Sequence, residues 1–244
     1  MKSALKLNLG LILIFLSAGF PAFAQEEVVQ NQLVEVEINQ DNLAPYKQRR
    51  DPYSINFSLN YENLELKNYI SVLDNITSYS TMFNGEALPL ISLGLSYQYN
   101  FFLGSVSLGA NYGMGSLSGS HSGVDRSLDI TKYGGSLRYT ADMIMNEPYV
   151  APYIGLQMWQ FVLAEKSPTD SFSGTTQWGT AITLGLLFQL NWIDWETARQ
   201  TTFNWGLENT FIDIFLTKYG PTNSDEDPNT ETDFVYGAGL HLEF

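Results

Sequence analysis

The chain ends on DFVYGAGLHLEF, residues 233–244. Phe234, Tyr236, Ala238, Leu240, Leu242 and Phe244 are apolar, and they alternate with Asp233, Val235, Gly237, Gly239, His241 and Glu243. A period of two is the mark of a strand with one apolar face. The termini of soluble domains usually fray. A strand in lipid must instead pair to its end, because no water is there to satisfy an open edge. Residues 233–244 therefore read as the strand that closes a transmembrane β-barrel, with Phe244 as its last residue.

Working back along the chain, the same pattern recurs. Residues 52–62 set Tyr53, Ile55, Phe57, Leu59 and Tyr61 against Ser54, Asn56, Ser58, Asn60 and Glu62. Further strands are predicted over 88–100, 102–114, 129–143, 149–163, 177–192 and 200–214. In the last of these Phe203, Trp205, Leu207 and Phe211 are expected to face outward, with Glu208 facing inward. With the closing strand, this predicts an all-β fold: an eight-stranded antiparallel up-and-down barrel, whose even strand number leaves no edge. The connections alternate long and short, as in barrels with long external loops and short periplasmic turns. Residues 115–127 are expected as a Gly/Ser-rich loop, 165–176 as a polar loop and 193–198 as a turn.

On that path aromatics collect at two levels, as interfacial anchoring requires. Tyr53, Tyr97, Tyr99, Phe102, Trp192, Phe203 and Phe244 fall at the periplasmic level. Tyr61, Tyr112, Tyr133, Trp178, Phe211, Phe234 and Tyr236 fall at the external one. A soluble barrel of the lipocalin type would place apolar residues inside. Here the other face is rich in Gly, Ser, Thr and Asn, which suits a narrow, crowded interior.

The start of the chain reads as a secretory leader over residues 1–24. Lys2 and Lys6 precede the apolar run LGLILIFL, and Ala22-Phe23-Ala24 is the cleavage pattern. The domain reading is 1–24 signal peptide, 25–51 periplasmic arm and 52–244 barrel. There are no Cys residues and the net charge is −14. Disulfide and thiolate chemistry are thereby excluded, and nucleic acid is disfavoured as a partner. The basic cluster Lys47, Arg49 and Arg50 reads either as a headgroup contact or as an ordinary linker.

The signal peptide, the alternating segments and the terminal pattern Tyr236, Ala238, Leu240, Leu242, Phe244 resemble the small outer-membrane β-barrel superfamily, the group of the OmpA transmembrane domain, OmpX and OmpW. The terminal pattern looks like that family's assembly signal. The resemblance implies outer-membrane lipid and lipopolysaccharide as surroundings, the barrel-assembly machinery as a partner in biogenesis, and an extracellular ligand engaged through the loops as a further partner. It implies no cofactor. Fold does not settle function here. A structural or surface-interaction role leads, a narrow channel for small or apolar solutes is the alternative, and a lipid-modifying enzyme is third.

Candidate site residues are the charges expected in the lumen: Glu62, Lys132, Arg138, Asp142, Glu208, His241 and Glu243. Arg138 and Glu208 are expected near its middle. They read as a satisfied ionic plug, with partner exchange between them as a competing gate. Catalysis is not expected. His121 lies in a Gly/Ser stretch, and His241 has Glu243 where the lipid A deacylase family has Ser. The carboxylate-rich segment 223–233 could hold a divalent cation through oxygen ligands or be plain solvated loop, and no metal site is assigned. The first long connection, 63–87, carries Leu66, Ile70, Val72, Leu73, Ile76, Met82 and Phe83. It reads as a partner surface or as a segment buried on itself.

Overall fold

The computed structural model describes residues 44–121 and 123–244. The leader, most of the arm and the short alternation at Val34, Val36 and Ile38 lie outside the described residues. The elements in order are α1 (Tyr46–Arg49), β1 (Tyr53–Leu64), α2 (Tyr79–Phe83), β2 (Leu88–Phe101), β3 (Gly104–His121), β4 (Val124–Thr140), β5 (Val150–Lys166), β6 (Ser171–Thr175), β7 (Gly179–Gln189), α3 (Trp195–Trp205), β8 (Asn209–Thr222) and β9 (Val235–Glu243).

Every neighbouring pair is antiparallel, and the sheet closes. The order runs β4-β3-β2-β1-β9-β8-β7-β5, and β4 pairs back onto β5. β6 continues the β7 strand outward along β5 after an interruption at residues 176–178. The circuit is therefore an eight-stranded barrel. β9 pairs with β8 on one side and β1 on the other. Pairing persists to the last residue: Phe244 exchanges backbone hydrogen bonds of 2.8 and 2.9 Å with Ile55.

The exterior is apolar. Tyr53, Ile55, Phe57, Leu59 and Tyr61 on β1, Ile154, Leu156 and Met158 on β5, and Ile212, Ile214 and Leu216 on β8 all point outward and are exposed. In water such a wall would be a large uncovered apolar patch; in a bilayer it is the normal lipid-facing surface. The inner face alternates polar groups with aromatics, and Gly179, Gly185 and Gly237 are seats for three of those rings. A Cβ on Gly185 would stand 2.5 Å from the Tyr153 ring, on Gly179 2.4 Å from Trp159, and on Gly237 2.4 Å from Phe215.

Four expectations change. Residues 115–127 are mostly strand: β3 and β4 stay paired from Ser105↔Thr140 to His121↔Val124. Gly123, at φ 79°, lies in the reversal between them, as tight hairpins favour. An 18-residue strand such as β3 is about 60 Å long at ~3.4 Å per residue, far beyond an apolar band of roughly 25 Å. Its last strongly exposed apolar side chain is Met114, so residues 115–121 stand clear of the band. The loop expected over 165–176 is likewise largely the β5–β6 hairpin. The turn expected at 193–198 opens the helix α3, which also takes Phe203 and Trp205.

The fourth change is the phase of β8. Phe211 faces inward with Asn209, Asp213, Phe215, Thr217 and Tyr219, all buried. The apolar spacing at 203, 205 and 207 belongs to the helix and the segment after it, so extending it through Phe211 put the strand one residue out of step. A one-residue slip exchanges the two faces completely. Of the expected aromatic girdle, Phe211 is thus a lumen residue. Phe203 sits on α3, and Trp192 sits in the connection before it.

Candidate functional site

The lumen is built in layers, and both ends are closed. At the end where β9 finishes, α1 enters the mouth. The Tyr46 side chain is buried, and its hydroxyl donates to Glu243 Oε1 at 2.7 Å. Gln98 Nε2 donates to the same oxygen at 2.9 Å, and Asn209 Nδ2 donates to Oε2 at 2.8 Å. Arg50 grips Asp142 with Nη1 and Nη2, each at 2.8 Å, and Ser105 donates to that carboxylate at 2.7 Å. Arg49 pairs with Glu208. The helix is hooked in place by the β4–β5 turn, where Glu147 accepts the Tyr46 backbone N–H at 2.7 Å.

This layer revises two expectations. Arg49 and Arg50 neutralise lumen carboxylates instead of reaching towards headgroups. Glu208 lies in this end layer, one residue before β8, and not near the middle.

In the middle, Arg138 lies over the Tyr153 ring at 4.2 Å and 3.7 Å from Asp213. Tyr153 donates to both Asp213 oxygens, at 2.9 and 3.0 Å. His241 Nδ1 stands 3.5 Å from Arg138 Nη1, beside the Phe211 ring. Here the barrel keeps a polar cavity of about 60 Å³, bordered by residues such as Asn60, Ser96, Asn111, Arg138, Gln157 and His241. Asp213 completes this group, and the wrong phase of the seventh strand hid it. One signal could have found it. Placing Phe211 outward also aims Asp213 at lipid, where a carboxylate is costly.

Above the cavity, Lys132 lies 3.4 Å from Glu62, and its ammonium donates to the Tyr219 hydroxyl at 2.6 Å. Tyr219 donates in turn to Glu62 at 2.5 Å. These side chains are nearly inaccessible to solvent. Breaking a buried pair of this kind leaves an uncompensated charge, so such groups keep their partners. Beyond them the bore is filled by an apolar core that includes Trp159, Phe161, Leu90 and Ile130.

The connection from β1 to β2 seals that core. Leu66, Tyr69, Tyr79, Met82 and Phe83 are buried in it, whereas Ile70 and Ile76 stay exposed. Glu165, fully buried, is the latch. It accepts Tyr69 Oη at 2.9 Å, Ser71 Oγ at 2.6 Å, the Val72 N–H at 3.0 Å and Arg126 Nη1 at 3.1 Å. Arg126 also holds Asp74 at 2.6 Å. Burial, then Glu165, pushes the Tyr69 phenol well up. Hydrogen bonds from the Thr77 hydroxyl and backbone hold the Asp74 carboxyl well below the usual range.

Among the expected girdle residues, Tyr53, Tyr61, Tyr97, Tyr99, Phe102, Tyr112, Trp178, Phe234 and Tyr236 are exposed, as are Phe244 and Leu240 of the terminal pattern, and Tyr133 stacks edge-on to Trp178 at 6.0 Å. His121 ends β3 at the hairpin tip. Among the described residues no three His, Asp or Glu side chains are grouped to hold a metal ion.

No protein-family model and no curated protein matches the chain. Solved structures do. Ail, the attachment invasion locus protein of Yersinia pestis, aligns at 14% identity over 79% of this chain and 97% of that one, with a TM-score of 0.41. Neisserial surface protein A aligns at 13% identity over 80% and 98%, with a TM-score of 0.42. A second structure of Ail, in complex with the heparin analogue sucrose octasulfate, aligns at 14% identity over 79% and 97%, with a TM-score of 0.39. The fold is that of a small outer-membrane β-barrel. That statement rests on the closed eight-strand circuit and the apolar exterior.

Proposed function

We propose that this protein is a non-conducting outer-membrane surface protein that works through its external hairpins. The observation that carries the reading is the contrast between its two halves. The bore is closed by the Tyr46 layer at one end and by the Trp159 core at the other, around a cavity of only about 60 Å³, whereas β3–β4, β5–β6 and the β1–β2 connection extend that core into an ordered external body with its own buried latch at Glu165. Effort is spent on shaping the outside, which suits contact with something beyond the cell. The lumen charges Glu62, Lys132, Arg138, Asp142, Glu208, His241 and Glu243 serve as a rigidifying ionic plug. The terminal pattern from Tyr236 to Phe244 serves assembly, as the signal read by the barrel-assembly machinery.

The test is adherence of cells expressing the intact chain, compared with a variant in which residues 117–128 are replaced by a two-residue turn. Both would be assayed against immobilised glycans and against each other. Loss of adherence with unchanged surface level supports the reading. Equal adherence would reduce the hairpins to scaffolding. Planar-bilayer recordings address the channel alternative, and steady conductance from the intact chain would replace the reading.

A further inference from the structure

The β7–β8 connection is a helix at the end where short turns are the rule, and its apolar side chains are turned outward. Asp194 caps α3, accepting the Thr197 N–H at 3.1 Å and the Thr197 hydroxyl at 2.8 Å. Gly206, at φ 68°, ends it in the left-handed conformation that glycine adopts without strain. The cap, the 3.2 Å Glu196–Arg199 pair and the terminating glycine make a defined helix of 11 residues.

None of its residues is buried. Ala198, Arg199, Thr201 and Thr202 are half-buried. Trp192, Ile193, Trp195, Phe203 and Trp205, by contrast, are 39–78% exposed. Five large apolar side chains so close in sequence would be an aggregation liability in water. Helical spacing places Trp195, Ala198, Thr202 and Trp205 on one side and Glu196, Gln200 and Asn204 on another, with Phe203 at the border between Trp195 and Glu196.

The helix follows β7 after a short link, residues 190–194, and the outward face of that strand, Ile182, Leu184 and Leu186, is exposed like the rest of the apolar wall. Phe102, Leu103, Ile144 and Tyr149, in or beside the other turns at this end, are exposed too. Trp and Phe concentrate where acyl chains meet headgroups. An amphipathic helix with such residues lies in that plane, about 5–10 Å deep.

We propose that α3 is an interfacial helix seated in the periplasmic leaflet of the outer membrane, with Trp195 and Trp205 in the acyl–headgroup boundary and the Glu196–Gln200–Asn204 stripe facing water. The occupant of the exposed face is a phospholipid surface. The proposal rests on the membrane reading of the barrel and adds a second, in-plane contact to it.

The chain has no Cys, so single nitroxide labels are unambiguous. Four variants suffice: Trp205→Cys, Gln200→Cys, Leu156→Cys as the barrel-wall reference and Glu226→Cys as the water reference. Each is refolded into phosphatidylethanolamine/phosphatidylglycerol vesicles. Accessibility to oxygen and to a water-soluble nickel chelate is then read by electron paramagnetic resonance. The expected oxygen-to-nickel ratio at position 205 is several-fold above that at 200, and shallower than that at 156. A ratio at 205 equal to that at 226, with 156 still in lipid, overturns the proposal and leaves the barrel reading intact. A water-like ratio at 156 overturns both. A lipid-like ratio at 200 overturns the in-plane geometry. Should Trp205→Cys fail to refold, Trp195→Cys, on the same side of the helix, carries the same comparison.

Discussion

Arg50 and Asp142, 92 residues apart in sequence, meet in a bidentate pair with both contacts at 2.8 Å. Both side chains are almost fully buried, at 4% and 6% exposure. The pair fastens the segment around α1 into the mouth of the barrel. Arg50→Met should strand the carboxylate and lower stability by about 3–5 kcal/mol, the usual consequence of removing one partner of a buried pair. Urea unfolding in lipid vesicles measures it. A loss below about 1 kcal/mol, typical of exposed pairs, would show the mouth to be wet.

Removing residues 44–51 should not open a conducting path. The Glu62–Lys132–Tyr219 layer and the Trp159–Phe161 core remain above the missing stopper. Arg138→Ala and Glu208→Ala should likewise leave planar-bilayer recordings silent. Conductance from any of these would mean that a single layer seals the bore, and would revive the gate.

The phase of β8 can be tested by charge. Ile214→Lys aims an ammonium at lipid and should cost roughly 2–4 kcal/mol if the position lies near the midplane. Phe211→Lys aims the same group at the lumen, beside His241, and should be the milder insertion defect. The comparison is the folded fraction on heat-modifiability gels. The reverse order would restore the simple alternation through Phe211.

Acid should loosen the β1–β2 connection. The Asp74 carboxyl is depressed by its hydrogen bonds with Thr77. Its contribution to stability is therefore present above the unfolded value of about 4, and it is lost as pH falls from there through the lower folded value. Pepsin cleavage within residues 65–87 should accelerate as pH drops below about 4. Asp74→Asn should weaken that dependence. Glu165→Ala should expose the same segment even at neutral pH, since four donors lose their acceptor.

Deleting Phe244 removes the backbone pair with Ile55 and one aromatic of the periplasmic level. Surface yield should fall, while protein that does insert should unfold much as the intact chain does. Normal yield would separate the terminal aromatic from assembly.

The strands were legible because lipid imposes a rule on every second residue. On β1 and β2, Tyr53 to Tyr61 and Ile91 to Tyr99 show it without exception. The rule fades where the wall ends. Residues 115–121 alternate too weakly to look like strand, yet they stay in the β3–β4 ladder. Phe211 shows a second limit. An aromatic fits either face of this barrel, because inner glycines such as Gly237 make room for rings. Only Asp213, which lipid rejects, carried the correct phase. Of the lumen charges, sequence placed Glu62, Lys132, Arg138, Asp142, His241 and Glu243 on the inner side. Their partners Tyr46, Arg50, Tyr153, Asp213 and Tyr219 gave no such signal.

The sequence by itself determined the closed apolar wall, the strand order implied by its turns and the closing role of residues 233–244. Each follows from local spacing read against one solvent. Tertiary structure alone decided which charges meet across the lumen, how Glu165 gathers the first connection and where Arg49 and Arg50 go. Those contacts join strands far apart in the chain, and closure of the sheet is what brings them together.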